Sequence, residues 1–343
     1  MFQVAMEKGI GGVRLMFCPA YGRTGDTATL ADAGKGPMSS LAGVGKVTGM
    51  FEGFETKTIS GDGADIFVRV AGDGPPLLLL HGYPQTGAMW ARIAPRLAER
   101  FTVVIPDLRG YGRSSAPPTT PDNLVYSKRA MGRDCAAVMQ ALGHKRFSVA
   151  GHDRGARVAY RMALDMPERV ERLAVLDIVP VAEVWERMDA TSAMKVYHWL
   201  FLAQPAPFPE TLIGAAPVMF LDHTIASWTK TNTLDAFDPA ALDEYRHAFA
   251  RPTTIAATCN DYRAGATIDW QLDREDRDRG RRITAPTLVL WGSAGIAGEG
   301  HDPLEVWEPW CGRLEGHAID AGHFIVEEAP DETLRSLEAF FAA

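Results

Sequence analysis

Five short, nearly unbroken apolar runs punctuate this chain: Pro76–Leu80, Phe101–Ile105, Phe147–Ala150, Leu173–Leu176 and Thr287–Leu290. Apolar runs of that length without polar alternation mark strands buried on both faces. Helical patterns lie between them. In Ser127–Leu142, residues Met131, Cys135, Val138, Met139 and Leu142 recur three or four apart on one face. Strands alternating with such helices imply a mostly parallel sheet covered by helices. Two alternating segments, Thr56–Ile59 and Asp65–Val70, joined by a turn at Gly61-Asp62-Gly63, add two strands at the front. His317–Asp320 reads as a weaker last strand, which makes eight. The expectation is an α/β fold on a mostly parallel eight-stranded sheet.

The alternation stops after Pro180 and resumes at Pro286. Residues 181–283 hold helix formers and aromatics but no buried-strand run, which predicts a helical cap inserted in a core of 51–180 and 284–343. Such a cap would cover the strand ends, where open α/β sheets bind ligands. Inside it, the densely charged run Asp273–Arg282 reads as a solvated segment. Residues 1–50, rich in Gly, Ala, Ser, Thr and Met, read as a flexible N-terminal extension.

Charge narrows the partners. Thirty-five Lys+Arg against 43 Asp+Glu give a net charge of −8, which argues against nucleic acid or an anionic membrane. No apolar run approaches the roughly 20 residues of a membrane helix. Cys18, Cys135, Cys259 and Cys311 are far apart and form no metal or disulfide spacing, so a reducing cytoplasm is expected. No His-Glu-x-x-His, and no G-x-G-x-x-G after a strand, asks for a metal or organic cofactor.

The chemistry gathers at one turn. Phe147–Ala150 runs straight into Gly151-His152-Asp153-Arg154-Gly155, and a helical pattern with Val158, Ala159 and Met162 follows. Glycines two before and two after the central residue match the spacing of a nucleophile elbow, with Asp153 where serine is usual. A carboxylate at a helix N-terminus is held ionised. It can displace a leaving group from saturated carbon and form an enzyme ester. The ester must then be hydrolysed, which needs a base and oxyanion donors. His323, on the loop after the last strand, is the candidate base, with His301 in a Gly-rich loop as its rival. Asp177, directly after Leu173–Leu176, is the candidate partner acid; the bland alternative is a turn cap. Backbone N–H groups of Arg154 and Tyr83 are the expected oxyanion donors. Arg154 and Arg157 share a face of the elbow helix, and two cations there fit a carboxylate substrate; a salt bridge from Arg157 to Asp153 or another acid is the alternative.

From about Phe51 to the C-terminus the chain resembles the fluoroacetate (haloacetate) dehalogenases of the α/β-hydrolase superfamily. The resemblance rests on His81-Gly82-Tyr83-Pro84-Gln85, Gly151-His152-Asp153-Arg154-Gly155-Ala156-Arg157, Leu176-Asp177-Ile178, Tyr197-His198-Trp199, Asp261-Tyr262-Arg263-Ala264-Gly265 and Gly322-His323-Phe324. It implies an α/β-hydrolase fold with Asp153 as nucleophile, His323 as base and Asp177 as its partner. It also implies Arg154 and Arg157 on the substrate carboxylate, and His198, Trp199 and Tyr262 around the leaving halide. Trp228 is expected along the access path. A homodimer and a small haloacid substrate follow from the same resemblance. Three rivals remain: a haloalkane dehalogenase, whose neutral substrate has no use for two arginines; an epoxide hydrolase, which needs cap tyrosines such as Tyr262; and a non-catalytic ligand receptor, which predicts loss of the nucleophile, base or acid.

Overall fold

The computed structural model describes residues 49–298 and 300–342. The expected extension, 1–50, lies outside these residues save for Gly49 and Met50. Eight strands form one sheet: β1 (Glu55–Ser60), β2 (Asp65–Ala71), β3 (Pro76–Leu80), β4 (Thr102–Pro106), β5 (Phe147–His152), β6 (Val170–Leu176), β7 (Thr287–Gly292) and β8 (Leu314–Ile319), in the order β1-β2-β4-β3-β5-β6-β7-β8. β2 pairs antiparallel with β1 and β4, and every other pairing is parallel. The central runs are buried as their composition requires: Leu77–Leu80, Val149, Ala150 and Leu173–Leu176 have no measurable exposure. β8 starts earlier than its sequence suggests. It is an edge strand whose exposed Glu315 and His317 break the apolar signal, while its backbone pairs with β7 from Leu314 onward.

Local chemistry sets the helices. Ser127 accepts the Ala130 N–H at 3.2 Å and starts the helix Lys128–Ala141, whose apolar face packs on the helix Asp153–Asp165 against β5 and β6. Because β3, β5, β6 and β8 run parallel, the residues that follow them emerge at one sheet edge: Tyr83, Asp153, Asp177 and His323. Between β6 and β7 the chain forms eight helices, from Val181–Arg187 to Ile268–Asp278. None of the described helices is long and apolar enough to cross a membrane.

The charged run Asp273–Arg282 is not simply solvated. It begins inside the helix Ile268–Asp278, where Asp269, Asp273 and Asp276 are buried while Arg274 and Arg279 are exposed. Arg161 accounts for two of these acids, bonding Asp273 at 3.0 Å and Asp276 at 2.6 Å; Tyr160 donates to Asp273 at 2.7 Å, and Asp269 accepts the Lys128 backbone N–H at 2.9 Å. Acids spaced four and three apart share a helix face, and this face turns to these donors instead of water.

Candidate active site

β5 ends at His152, and Asp153 opens the following helix with φ of 44°, a region L residues rarely occupy. The turn is too tight for side chains beside it. A Cβ on Gly151 would lie 2.5 Å from the Gly155 carbonyl oxygen, and one on Gly155 would lie 2.4 Å from that of His81. Tyr83 donates its backbone N–H to Asp153 Oδ2 at 2.9 Å. Tyr83 reaches there because His81 pins its loop, accepting the Leu108 N–H at 2.9 Å through Nε2. Burial pushes the Asp153 carboxyl up, but the charges of His323 and Arg157 outweigh it, and the group sits below its usual range.

His323 Nδ1 lies 2.5 Å from Asp177 Oδ2. Asp177 is itself fixed at φ of 53° and accepts N–H bonds from Gly292 at 3.0 Å and Ile296 at 3.2 Å. Burial pushes the His323 imidazole down; its bond to Asp177 and the charge of that carboxylate more than reverse this, and its affinity for a proton ends above the usual value. The His323 N–H bonds the Trp228 carbonyl at 2.9 Å, and the flanking N–H groups of Gly322 and Phe324 both reach the Glu328 carboxylate at 3.0 Å. With Nδ1 committed to Asp177, Nε2 is the nitrogen left for proton transfer. His301, the rival base, lines an adjoining outer cavity and not the pocket walled by Asp153 and His323.

Asp153 and His323 wall a pocket of about 30 Å³ together with Arg157, His198, Trp199 and Trp228. A cavity of about 440 Å³ shares Arg157, Asp177, Val184, Val196 and Ile296 with it and so adjoins it. Trp228 stands in the wall of the small pocket, its ring 4.4 Å from that of His198 and 5.5 Å from that of His323. Behind this wall, the Tyr262 ring lies 5.5 Å from His198 and 5.2 Å from Tyr83. Among the described residues, His198 Nδ1 and the hydroxyls of Tyr262 and Tyr83 have no hydrogen-bond partner. Burial drives the His198 pKa down to about 3, so its ring is neutral.

The two arginines differ. Arg157 donates Nη1 to the Val179 carbonyl at 2.8 Å and stacks 4.6 Å from the Trp199 ring; among the described residues it makes no ion pair. Arg154 is not a free clamp. It bonds Asp261 through Nε at 3.0 Å and Nη2 at 2.6 Å, and the Asp261 carbonyl through Nη2 at 2.7 Å. Its guanidinium lies over Tyr262 at 4.2 Å. The sequence reading named Tyr262 but missed its neighbour Asp261, and missed Lys128, whose ammonium also bonds that carboxylate. Lys128 is the first helical residue after the Ser127 cap, and nothing local in the sequence marks it as buried. Glu328 was also missed.

A strained acid at a strand–helix elbow, an imidazole after the last strand and an acid holding it, on this sheet order, define the α/β hydrolases. The chain belongs to that family: the profile of the alpha/beta hydrolase fold matches residues 75–330. A fluoroacetate dehalogenase of Burkholderia sp is 46% identical over 293 residues, covering 85% of this chain and 95% of that protein. A soluble epoxide hydrolase of Corynebacterium sp. (strain C12) is 31% identical, covering 79% and 92%. A solved structure from Nostoc sp PCC 7120, described as an α/β hydrolase, superposes with a TM-score of 0.83 at 49% identity, covering 85% of this chain and 99% of that one.

Proposed function

We propose that this hydrolase is a dehalogenase of short 2-haloacids, turning a haloacetate and water into glycolate, halide and a proton. One observation carries the reading. Arg157 lines the pocket of about 30 Å³ together with the Asp153 carboxylate, Arg154 is buried within electrostatic reach of that carboxylate, and Arg154 Nη1 and Arg157 Nε have no partner among the described residues. So little room beside Asp153 favours a short acid over a bulky substrate. The spare N–H groups suit a carboxylate.

The substrate carboxylate docks on Arg157 and Arg154. An Asp153 oxygen attacks the α-carbon, a C–O bond forms, and the carbon–halogen pair leaves with the halide. His198, Trp199 and Tyr262 donate hydrogen bonds to that halide. His323 Nε2 then takes a proton from water, whose oxygen attacks the Asp153 ester carbonyl. The Tyr83 N–H, already 2.9 Å from Asp153 Oδ2, holds the oxyanion with the Arg154 N–H. Collapse frees glycolate and restores the carboxylate. Free, buried Cys135, Cys259 and Cys311 fit a reducing cytoplasm.

The Corynebacterium relative raises an epoxide reading. Against it, Tyr197 is exposed, which leaves Tyr262, its ring 5.5 Å from that of His198, as the one tyrosine of this pair near the pocket. Incubation with fluoroacetate, chloroacetate and styrene oxide separates the two. Halide release from the acids, abolished in Asp153→Asn, is the expected result. Epoxide opening without halide release refutes the proposal.

A further inference from the structure

The Asp261 carboxylate has no measurable exposure, yet it collects four donors from three distant segments. Oδ1 accepts from Lys128 Nζ and from Arg154 Nη2 at 2.6 Å; Oδ2 accepts from Arg154 Nε at 3.0 Å and from the Tyr111 hydroxyl at 2.7 Å. Lys128 is equally buried and sits 3.8 Å from a second acid, Asp269. Two cations, Lys128 and Arg154, thus face two anions, Asp261 and Asp269. Burial pushes Asp261 up, but Arg154 and Lys128 hold it far below the carboxylate range.

This arrangement leaves Arg154 one nitrogen, Nη1, without a partner among the described residues. The guanidinium is also boxed in. Tyr262 lies under it, and a Cβ on Gly265 would come within 3.1 Å of Nη2 and 3.3 Å of Nη1. The adjacent competitor for Arg154 is Asp153, next to it in sequence and within its electrostatic reach. A carboxylate paired with an arginine is a poor nucleophile, because the attack must break charge-assisted hydrogen bonds.

We propose that Asp261, seated on Lys128 and Tyr111, is a positioning residue that keeps Arg154 off the Asp153 carboxylate and presents its remaining nitrogen to the substrate carboxylate. The proposal rests on the haloacid reading above. It goes beyond that reading by giving the attack, but not ester hydrolysis, a dependence on a residue that touches neither substrate nor reacting atoms.

The test is Asp261→Asn in the full chain. Rapid-quench halide release in the first turnover of chloroacetate reports the attack, and decay of the ester reports hydrolysis. The attack is expected to slow by about 10- to 100-fold, the scale of one charge-assisted hydrogen bond, with ester decay within about twofold of wild type. An attack rate equal to wild type, or both steps falling together, overturns the proposal. Should Asp261→Asn fail to fold because Lys128 is left buried and unpaired, the pair Lys128→Met/Asp261→Asn removes one charge of each sign and carries the same expectation and the same refutation. If the wild-type protein releases no halide from any haloacid, it is the functional reading that fails. If it turns over and the variants attack at its rate, it is the role of Asp261 that fails.

Discussion

In the proposed reaction, alkylation of Asp153 changes the base that must act next. In the free enzyme the Asp153 carboxylate is one of the charges that raise the proton affinity of His323. Esterification removes that charge, so the imidazole pKa must fall when the ester forms. An opposite charge within hydrogen-bonding to near-contact range moves a pKa by about 1–3 units. Asp153 ranks behind burial and Asp177 among the influences on His323, so losing its charge lowers the pKa while the hold of Asp177 remains. Below both pKa values, each unit of that fall is about 1.4 kcal/mol and multiplies the neutral, competent fraction of His323 by about ten. The sign follows from the direction of the shift: a raised pKa in the free enzyme keeps His323 protonated to higher pH, and the ester state releases the proton sooner. Asp153→Asn mimics the neutral ester. Histidine-selective NMR titration of wild type and this variant is expected to place the His323 midpoint lower in the variant. In wild type, the acid limb of ester decay should lie below that midpoint, while the attack, which needs only ionised Asp153, stays flat there. A His323 midpoint in Asp153→Asn equal to or above that of wild type refutes the reasoning.

Asp177→Asn removes the charge and orientation at Nδ1 of His323; ester decay should fall by about 100-fold or more, with one halide released per site and the ester visible by intact mass, whereas decay at the wild-type rate rejects Asp177 as the partner acid. Arg157→Leu should raise KM for haloacids by about tenfold or more, and an unchanged KM removes its carboxylate role. Burial lifts the Glu327 carboxyl to about 8, beside Gln85 and Tyr245. The folded state therefore holds this proton where the unfolded chain has lost it, so the stability contribution is full below the unfolded pKa and lost as pH rises through about 8. Calorimetry should show Tm falling from about pH 6 to about pH 9 in wild type and a flatter profile in Glu327→Gln; equal slopes refute it. Met194, Leu200, Phe208, Leu212 and Met219 expose large apolar side chains on the inserted helices, and a homodimer would cover them. Light scattering should find a dimer that Phe208→Asp/Met219→Asp dissociates, and a monomeric wild type ends that proposal.

What was legible in the sequence was what neighbours in sequence decide. The elbow could be read because its apolar strand, its two glycines and its acid are contiguous from Phe147 to Gly155. His323 and Asp177 could be chosen because parallel strands bring their C-terminal ends to one edge. The pairing of Arg154 with Asp261 joins positions 107 residues apart, and Lys128 adds a third segment, so nothing local signals it. That pairing changes the expected two-armed clamp into one arm with a single spare nitrogen and one arm, Arg157, without a counter-acid. The buried acids of the charged run were readable by their spacing but masked by composition, since Arg274, Arg277 and Arg279 interleave them on the outer face.

In the proposed reaction, charge conservation during the attack accounts for neutral donors from the cap around the halide. Before the step, Asp153 and the substrate carboxylate hold two negative charges; after it, the carboxylate and the halide hold them. The net charge is constant, and one negative charge moves from the Asp153 oxygen toward His198, Trp199 and Tyr262. A cation at the receiving end would be paired with Asp153 before substrate arrives and would weaken the nucleophile. His198 avoids this because burial takes its pKa to about 3 and leaves it a dipole. The Tyr262 hydroxyl, pushed well above its ordinary pKa by burial, likewise keeps its proton to donate. Such fixed dipoles gain most when charge arrives, which places their stabilisation in the transition state and not in the resting enzyme. The cations follow the same logic from the other side: Asp261 neutralises Arg154, and His323 and Arg157 together balance Asp153 until the anionic substrate enters.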